Sequence, residues 1–279
     1  MRMPPLAMST ITAAGLICRY LEKQPTVPLD EAIEAIQRSV ESTSALDYEG
    51  ARKLLNACPG ATIDHHNPLH LRELISNFIE INKPSWIDVA PFGRDLVESS
   101  LTVNEAQVLR TAGLFDNPPS DDVVEWWDNL ATRARAFKEQ RLLERGRAAE
   151  RLTLEYEHRR LARLGVELSP VWIAIQDNTT GYDILSYDLV DDATVARHIE
   201  VKSSLQMPAT FFLTSNEWDR ALSLGNSFRL YLWSLPRNHL RILTLSDLLP
   251  HVPINQGRGK WQSMAVAIPM DQGWETVDT

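Results

Sequence analysis

From residue 120 to residue 164 only Gly146 interrupts a helix-forming sequence, and directly after Gly165 the pattern turns to short β-branched and aromatic runs. That switch of period, from about 3.6 residues to 2, limits the possible folds more than any other feature. Residues 171–175, 182–187 and 194–201 read as strands separated by turn clusters, and 210–213 is a short apolar run. Thr214-Ser-Asn-Glu217 has the form of a capping box and opens a helix that stops at Gly225. Residues 227–233 and 240–245 read as further strands. A helix, three strands, a helix and more strands describe an α/β (α+β) domain, with a mixed sheet flanked by helices. The long helical segment is expected to break into two near Asn129.

The chain before this switch is helical. Leu71, Leu74, Ile75, Phe78 and Ile79 form an apolar stripe that Lys83-Pro84 ends. Thr102-Val-Asn-Glu105 is another capping box, opening a helix that stops at Gly113, and Asn117-Pro118-Pro119 breaks the chain. Two domains are therefore expected: residues 1–130, helical and suited to recognition or partner binding, and residues 131–279. Trp126-Trp127 are expected to pack the two together. The apolar stretch 6–18 is interrupted by Ser9, Thr10 and Thr12, so it reads as an amphipathic helix through Ile11, Leu16, Ile17 and Leu21 rather than a signal peptide. Cys18 and Cys58 lack metal-type spacing, which points to reduced thiols and a cytoplasmic protein. No run reaches membrane-span length. Asp64-His65-His66 with His70 reads as a polar loop, because Pro68 breaks any ligand spacing.

A net charge of −9 argues against a nucleic-acid partner, but its distribution does not. Residues 133–163 carry ten Lys/Arg against five Asp/Glu. Such a segment binds phosphates locally while an acidic body suppresses non-specific contacts, or it is a solvated helix laced with ion pairs. On the first reading Arg147, Arg159, Arg160 and Arg163 are the candidate nucleic-acid contacts.

The chemistry-bearing cluster is Asp183 with His198-Ile-Glu-Val-Lys202. In a strand, Glu200 and Lys202 share one face while Ile199 and Val201 point to the other, into a core. A hairpin centred on Asp191-Asp192 pairs residues whose numbers sum to 383, which sets Asp183 opposite Glu200; a loop of odd length would shift this by one. Two carboxylates ~5 Å apart repel by roughly 3 kcal/mol at an effective dielectric of ~20. Lys202 offsets part of that, and a divalent cation offsets more, since Mg²⁺ prefers hard oxygen ligands. Glu150 interrupts a helical stripe of Leu143, Leu154 and Leu161, with Glu157 as a rival on the same side. A carboxylate facing the interior needs a partner. Gly146, one turn earlier, permits close approach.

Gly146-Arg-Ala-Ala-Glu150, Gly181-Tyr-Asp-Ile-Leu-Ser186, Ile199-Glu-Val-Lys202, Phe212-Leu-Thr-Ser-Asn-Glu-Trp218 and Arg229-Leu-Tyr231 follow one another in order. Over about residues 140 to 235 the chain thereby resembles the NO VEIN C-terminal domain family, a branch of the PD-(D/E)XK nuclease superfamily. The resemblance implies a restriction-endonuclease-like sheet and Mg²⁺- or Mn²⁺-dependent hydrolysis of phosphodiesters. It implies that Asp183 and Glu200 hold the metal, that Lys202 positions or activates the attacking water, and that Glu150 completes the metal site, often through water. The superfamily's proline before the aspartate is Tyr182 here. The expectation is a DNA endonuclease acting on double strands in restriction or anti-phage defence, as a monomer or homodimer. A protein partner on the N-terminal domain is also expected. The competing readings are a silent nuclease fold that binds nucleic acid or scaffolds a complex, and a regulatory protein gated through its helical part. No Gly-rich phosphate loop or Gly-x-Ser-x-Gly elbow is present.

Overall fold

The computed structural model describes residues 2–39, 45–59, 63–177, 179–255, 257–270 and 273–277. They form two compact units, Met1–Glu139 and Gln140–Thr279.

The first unit is helical: α1 (Met8–Lys23), α2 (Leu29–Ser39), α3 (Tyr48–Ala57), α4 (Pro68–Asn82), a 3-10 stretch Ser85–Phe92, α5 (Arg94–Ser100) and α6 (Val103–Thr111). Local chemistry sets the ends. Asn67 caps α4 through Leu69 N, Pro68 occupies its first turn, and Lys83 leaves it in the left-handed conformation at φ 45°. Thr102 and Glu105 form the expected reciprocal capping box on α6. Asp47 caps α3 at Gly50 N, 2.8 Å, and also accepts from the Thr10 hydroxyl at 2.8 Å, which ties α1 to α3. Ile11, Ile17, Leu71, Ile75, Ile79 and Leu109 are almost wholly buried in a common core.

The next helix, α7 (Asp121–Leu164), is a single 44-residue element. The expected break near Asn129 does not occur. Leu130 and Ala134 are buried in the first unit's core, so packing fixes the backbone just beyond Asn129 in the helix. Gly146, which costs about 1 kcal/mol against alanine in a helix, is carried along. Trp126 and Trp127 pack against the first unit's own core, their indole N–H groups donating to Ser76 Oγ (3.2 Å) and Leu114 O (2.9 Å). Gly165, at φ +73°, ends α7 with Val166 N bonded back to Leu161 O.

The second unit continues with β1 (Val171–Trp172), α8 (Ile173–Gln176), β2 (Ile184–Val190), β3 (Ala193–Ser204), β4 (Ala209–Thr214), α9 (Ser215–Leu224), β5 (Phe228–Ser234), β6 (His239–Leu243), α10 (Leu245–Leu248), β7 (Ser263–Ile268) and β8 (Glu275–Thr276). The strand expected over 171–175 is only two residues long. Its second half turns helical, with Asp177 N bonded to Ile173 O at 2.8 Å. The main sheet has the order β1-β2-β3-β5-β6-β8, mixed because β3 and β5 are parallel while the other pairs are antiparallel. β4 and α9 make the crossover between them, and β4 leaves the main sheet to pair with β7. The fold is mixed α+β, as expected.

β5 is buried on both faces, as a central parallel strand should be. Leu230 and Leu232 join one cluster with Trp218 and Ala221 of α9 and with Phe211 and Val266. Tyr231 and Trp233 join a second with Ala149 of α7 and Ile199. Alternation therefore assigns α7 to one face of the sheet and α9 to the other. Among the described residues no helix is long and apolar enough to cross a membrane.

Candidate functional site

The β2–β3 hairpin has the register read from the sequence: Ile184 pairs with Ile199, Leu185 with His198 and Val190 with Ala193. Asp183 lies one residue before β2. Its N–H donates to Ile199 O at 2.9 Å, and its Oδ2 accepts from Val201 N at 2.7 Å. Its carboxylate is thus clamped to the strand that carries Glu200 and Lys202. On that strand Lys202 Nζ lies 2.9 Å from Glu200 Oε1, while Ile199 and Val201 pack toward α7.

A further carboxylate completes the cluster. Glu217, in the first turn of α9, reaches Lys202 Nζ with Oε1 at 2.8 Å, and its Oε2 accepts from Thr214 N at 2.9 Å. One side chain therefore caps α9 and braces the lysine. The sequence reading found the cap and missed the brace. The available signal was the parity of β3, which aims Lys202 at the face α9 covers.

The electrostatics are lopsided. Asp183, Glu200 and Glu217 surround a single ammonium. Burial pushes the Asp183 carboxyl up to about 6, with Glu150 and Glu217 adding to the rise against the Val201 N–H and Lys202. Burial likewise pushes Glu200 up to about 8; Lys202 opposes it, and Asp183 and Glu217 reinforce it. Burial alone would discharge Lys202 too, but Glu200 and Glu217 outweigh it and hold the ammonium well above its usual range. The cluster carries surplus negative charge around a fixed cation, so the carboxylates rather than the lysine give way.

Beside the cluster lies a cavity of about 570 Å³, lined by the loop 179–182, Asp183, Glu200, Asn216, Glu217 and Arg220. Among the described residues Asp183 Oδ1 and Glu200 Oε2 have no hydrogen-bonding partner. Two carboxylates with free oxygens on a polar cavity suit a hard divalent cation that keeps several waters. No group of three or more His, Cys, Asp or Glu among the described residues is gathered closely enough to hold a metal alone. The Asp64, His65, His66 and His70 stretch is no exception.

Glu150 is where the expected metal set changes. Its Oε2 takes Arg147 Nη1 at 2.6 Å and the Trp172 indole N–H. It projects from α7, and its charge adds to the rise of the Asp183 carboxyl. Gly146 is not a point of close approach, since a Cβ there would meet Glu150 Oε1 at an ordinary 3.9 Å. The expected leucine stripe also differs. Leu161 is buried, but Leu143 is 56% exposed, and between them the buried positions are Ala149 and the polar set Glu150, Thr153 and Glu157.

The basic residues divide. Arg160 is spent internally, on Glu157 (Nη2 to Oε2 2.7 Å), on Asp188 (Nη1 to Oδ1 2.8 Å) and on Tyr187 O. Its charge is committed to the fully buried Glu157, which sets it apart from the other arginines expected to meet phosphates. Arg147 is paired with Glu150 and lies 5.7 Å from the centre of the Trp172 ring. Arg159 and Arg163 are exposed, and Arg163 Nε bonds to Arg159 O at 3.3 Å.

The second unit thus combines an acid-acid-lysine cluster, a mixed sheet and a polar cavity beside them. Residues 149–241, a third of the chain, match the family model described as Protein NO VEIN, C-terminal. The match takes in Glu150, Asp183, Glu200, Lys202 and Glu217 and leaves the helical unit outside. No curated protein and no solved structure matches the chain.

Proposed function

We propose that the second unit is a metal-dependent endonuclease of the PD-(D/E)XK type, hydrolysing phosphodiester bonds of DNA with Mg²⁺ or Mn²⁺. The observation that carries this is the register setting Asp183 against Glu200, with Lys202 two residues along on the same face. Asp183 and Glu200 would hold the cation through their free oxygens. When bound, such an ion stabilises charge on the scissile phosphate and lowers the pKa of water. Lys202 has three N–H donors, and Glu200 and Glu217 take two. The third is left to orient a water or a phosphate oxygen, an electrostatic contribution that does not compete for the metal. Glu150 contributes charge near Asp183 and is not assigned as a ligand. A role in restriction or anti-phage defence rests on the family resemblance.

The second reading, a silent nuclease fold that binds nucleic acid or scaffolds a complex, draws on the same triad. Lys202 closed between Glu200 and Glu217 is also a structural lock. Cleavage separates the two. Purified protein with Mg²⁺ or Mn²⁺ should cut plasmid, linear or single-stranded DNA, and Lys202→Ala should cut ~100-fold more slowly at equal DNA occupancy, the loss of one electrostatic contributor. Equal rates in the two proteins, or no cleavage by either, would remove the catalytic reading.

A further inference from the structure

Arg220 stands out on the cavity wall because no carboxylate among the described residues pairs with it. It is four residues from Asn216 on α9 and lines the same cavity as Asp183 and Glu200. Yet it makes no ion pair among the described residues, although three carboxylates lie on or beside that wall. Its Nε is buried without a hydrogen-bonding partner. A guanidinium with an unsatisfied donor inside a protein is costly unless a ligand meets it.

The side chain is also held in place. Its guanidinium carbon lies 5.9 Å from the centre of the Tyr182 ring, whose edge is fixed by His198 at 4.8 Å between ring centres. His198 Nδ1 is in turn 3.0 Å from Ser227 Oγ. The stem passes over Gly181, where a Cβ would come within 2.9 Å of Arg220 Cγ and 3.2 Å of its Cβ. Gly181 has φ +76°, a conformation that also favours glycine. The Gly181-Tyr182 pair therefore builds a seat for this arginine: the absent side chain admits the stem and the ring supports the head. Such rigidity saves the entropy that a free arginine would lose on binding.

We propose that Arg220 is a phosphate-binding residue, which takes a phosphodiester group of the nucleic-acid strand at the cavity and seats it against Asp183 and Glu200. This rests on the nuclease reading for the identity of the strand and deepens it by assigning a substrate contact. Arginine suits the task because its fork meets two phosphate oxygens at once. It also explains how an acidic cavity admits an anion: Arg220 supplies positive charge there, and a cation held by Asp183 and Glu200 would add to it. Asn216, exposed on the same wall, adds a neutral donor.

The test measures binding apart from cleavage. A short fluorescein-labelled DNA duplex is titrated with full-length Lys202→Ala protein in Mn²⁺, with and without Arg220→Ala, Arg220→Lys or Gly181→Ala. The expected result is a Kd about 10-fold higher for Arg220→Ala, with a salt slope flatter by about one unit, the signature of one lost phosphate contact. Arg220→Lys should recover part of the affinity. Gly181→Ala, which pushes the stem aside, should resemble Arg220→Ala. A duplex with uncharged methylphosphonate linkages should not discriminate between the proteins, a result that mere unfolding would not give. Mn²⁺ binding by calorimetry should be the same with and without Arg220. Unchanged affinity and slope in Arg220→Ala would overturn the assignment, and so would a parent protein that does not bind the duplex. If wild-type protein never cleaves while Arg220→Ala still flattens the slope, the catalytic reading falls and the phosphate site stands.

Discussion

Glu157 is the carboxylate whose loss the second unit should feel most. It is fully buried and accepts from Tyr231 OH at 2.6 Å, from Ser186 Oγ, and from Arg160 Nε at 2.9 Å and Nη2 at 2.7 Å. Arg197 Nη1 stands 3.8 Å away. Three partners at about 1.5–3 kcal/mol each would sum to roughly 5–9 kcal/mol in Glu157→Ala. Two features lower that figure. Asp188 still contacts both guanidiniums, at 2.8 Å from Arg160 and 3.2 Å from Arg197, and compensates one of the two charges. The bonds also share partners, so they do not add. The expectation is the ~3–5 kcal/mol typical of breaking a buried pair. Glu157→Gln keeps the shape but trades charge-assisted bonds for neutral ones, and should cost about 2 kcal/mol. Amide hydrogen exchange over β5 reads the opening free energy of this unit without contributions from the helical one. A loss below about 1 kcal/mol in Glu157→Ala would refute the view that this network holds α7 to the sheet. Because Glu157 lies on the α7 face, Glu157→Gln should leave Mn²⁺ binding intact.

Metal affinity should depend on pH in a defined direction. Asp183 and Glu200 have folded-state pKa values raised to about 6 and about 8. The native protein thus holds protons that the unfolded chain has released. Without metal, the stabilising contribution of this pair should be fully present below the ordinary carboxylate range and be lost as pH rises through about 6 to about 8. Mn²⁺ must displace those protons, so calorimetry in buffers of different ionisation enthalpy should show proton release near neutral pH and tighter binding as pH rises; buffer-independent heats would contradict this. Among the basic residues, Arg160→Gln should lower stability without changing the salt dependence of DNA binding, measured by exchange and by titration. A flatter slope in that variant would return Arg160 to the phosphate contacts.

The hairpin register was legible because its turn is short and chemically explicit. Asp191 and Asp192 both have positive φ, 48° and 63°, the two-residue turn whose twist suits a hairpin and which acidic or amide side chains tolerate. An even loop then fixes every pair from Val190–Ala193 to Ile184–Ile199, and Asp183 follows. The two capping boxes were legible for a similar reason, since each is settled within four residues. What escaped was non-local. The pairing of β4 with β7 joins residues 49 to 59 positions apart, with no turn to announce it. The continuity of α7 is decided by where Leu130 and Ala134 pack. Glu217 and Glu157 each had a sufficient local account, as a cap and as an i,i+3 partner of Arg160, which hid their longer reach.

The two faces of the sheet use charge differently, and the contrast bears on function more than any motif does. On the α7 face, Glu157 and Asp188 meet Arg160 and Arg197, with Tyr231 and Ser186 filling remaining sites. Two carboxylates face two guanidiniums, so charge balances there, although Arg197 Nε, 3.2 Å from Asp188, completes no hydrogen bond. On the α9 face, Asp183, Glu200 and Glu217 meet only Lys202, and Arg220 stands beside them unpaired. Pairing Arg220 with one of those carboxylates would relieve both imbalances, yet its seat over Gly181 and Tyr182 keeps it apart. A face built only for stability would have no reason to hold the two charges separate, because a half-buried arginine with an unmet Nε gains from a partner within reach. Held apart, they suit a ligand that itself separates charge: a cation on the carboxylates and the phosphate it neutralises on the arginine.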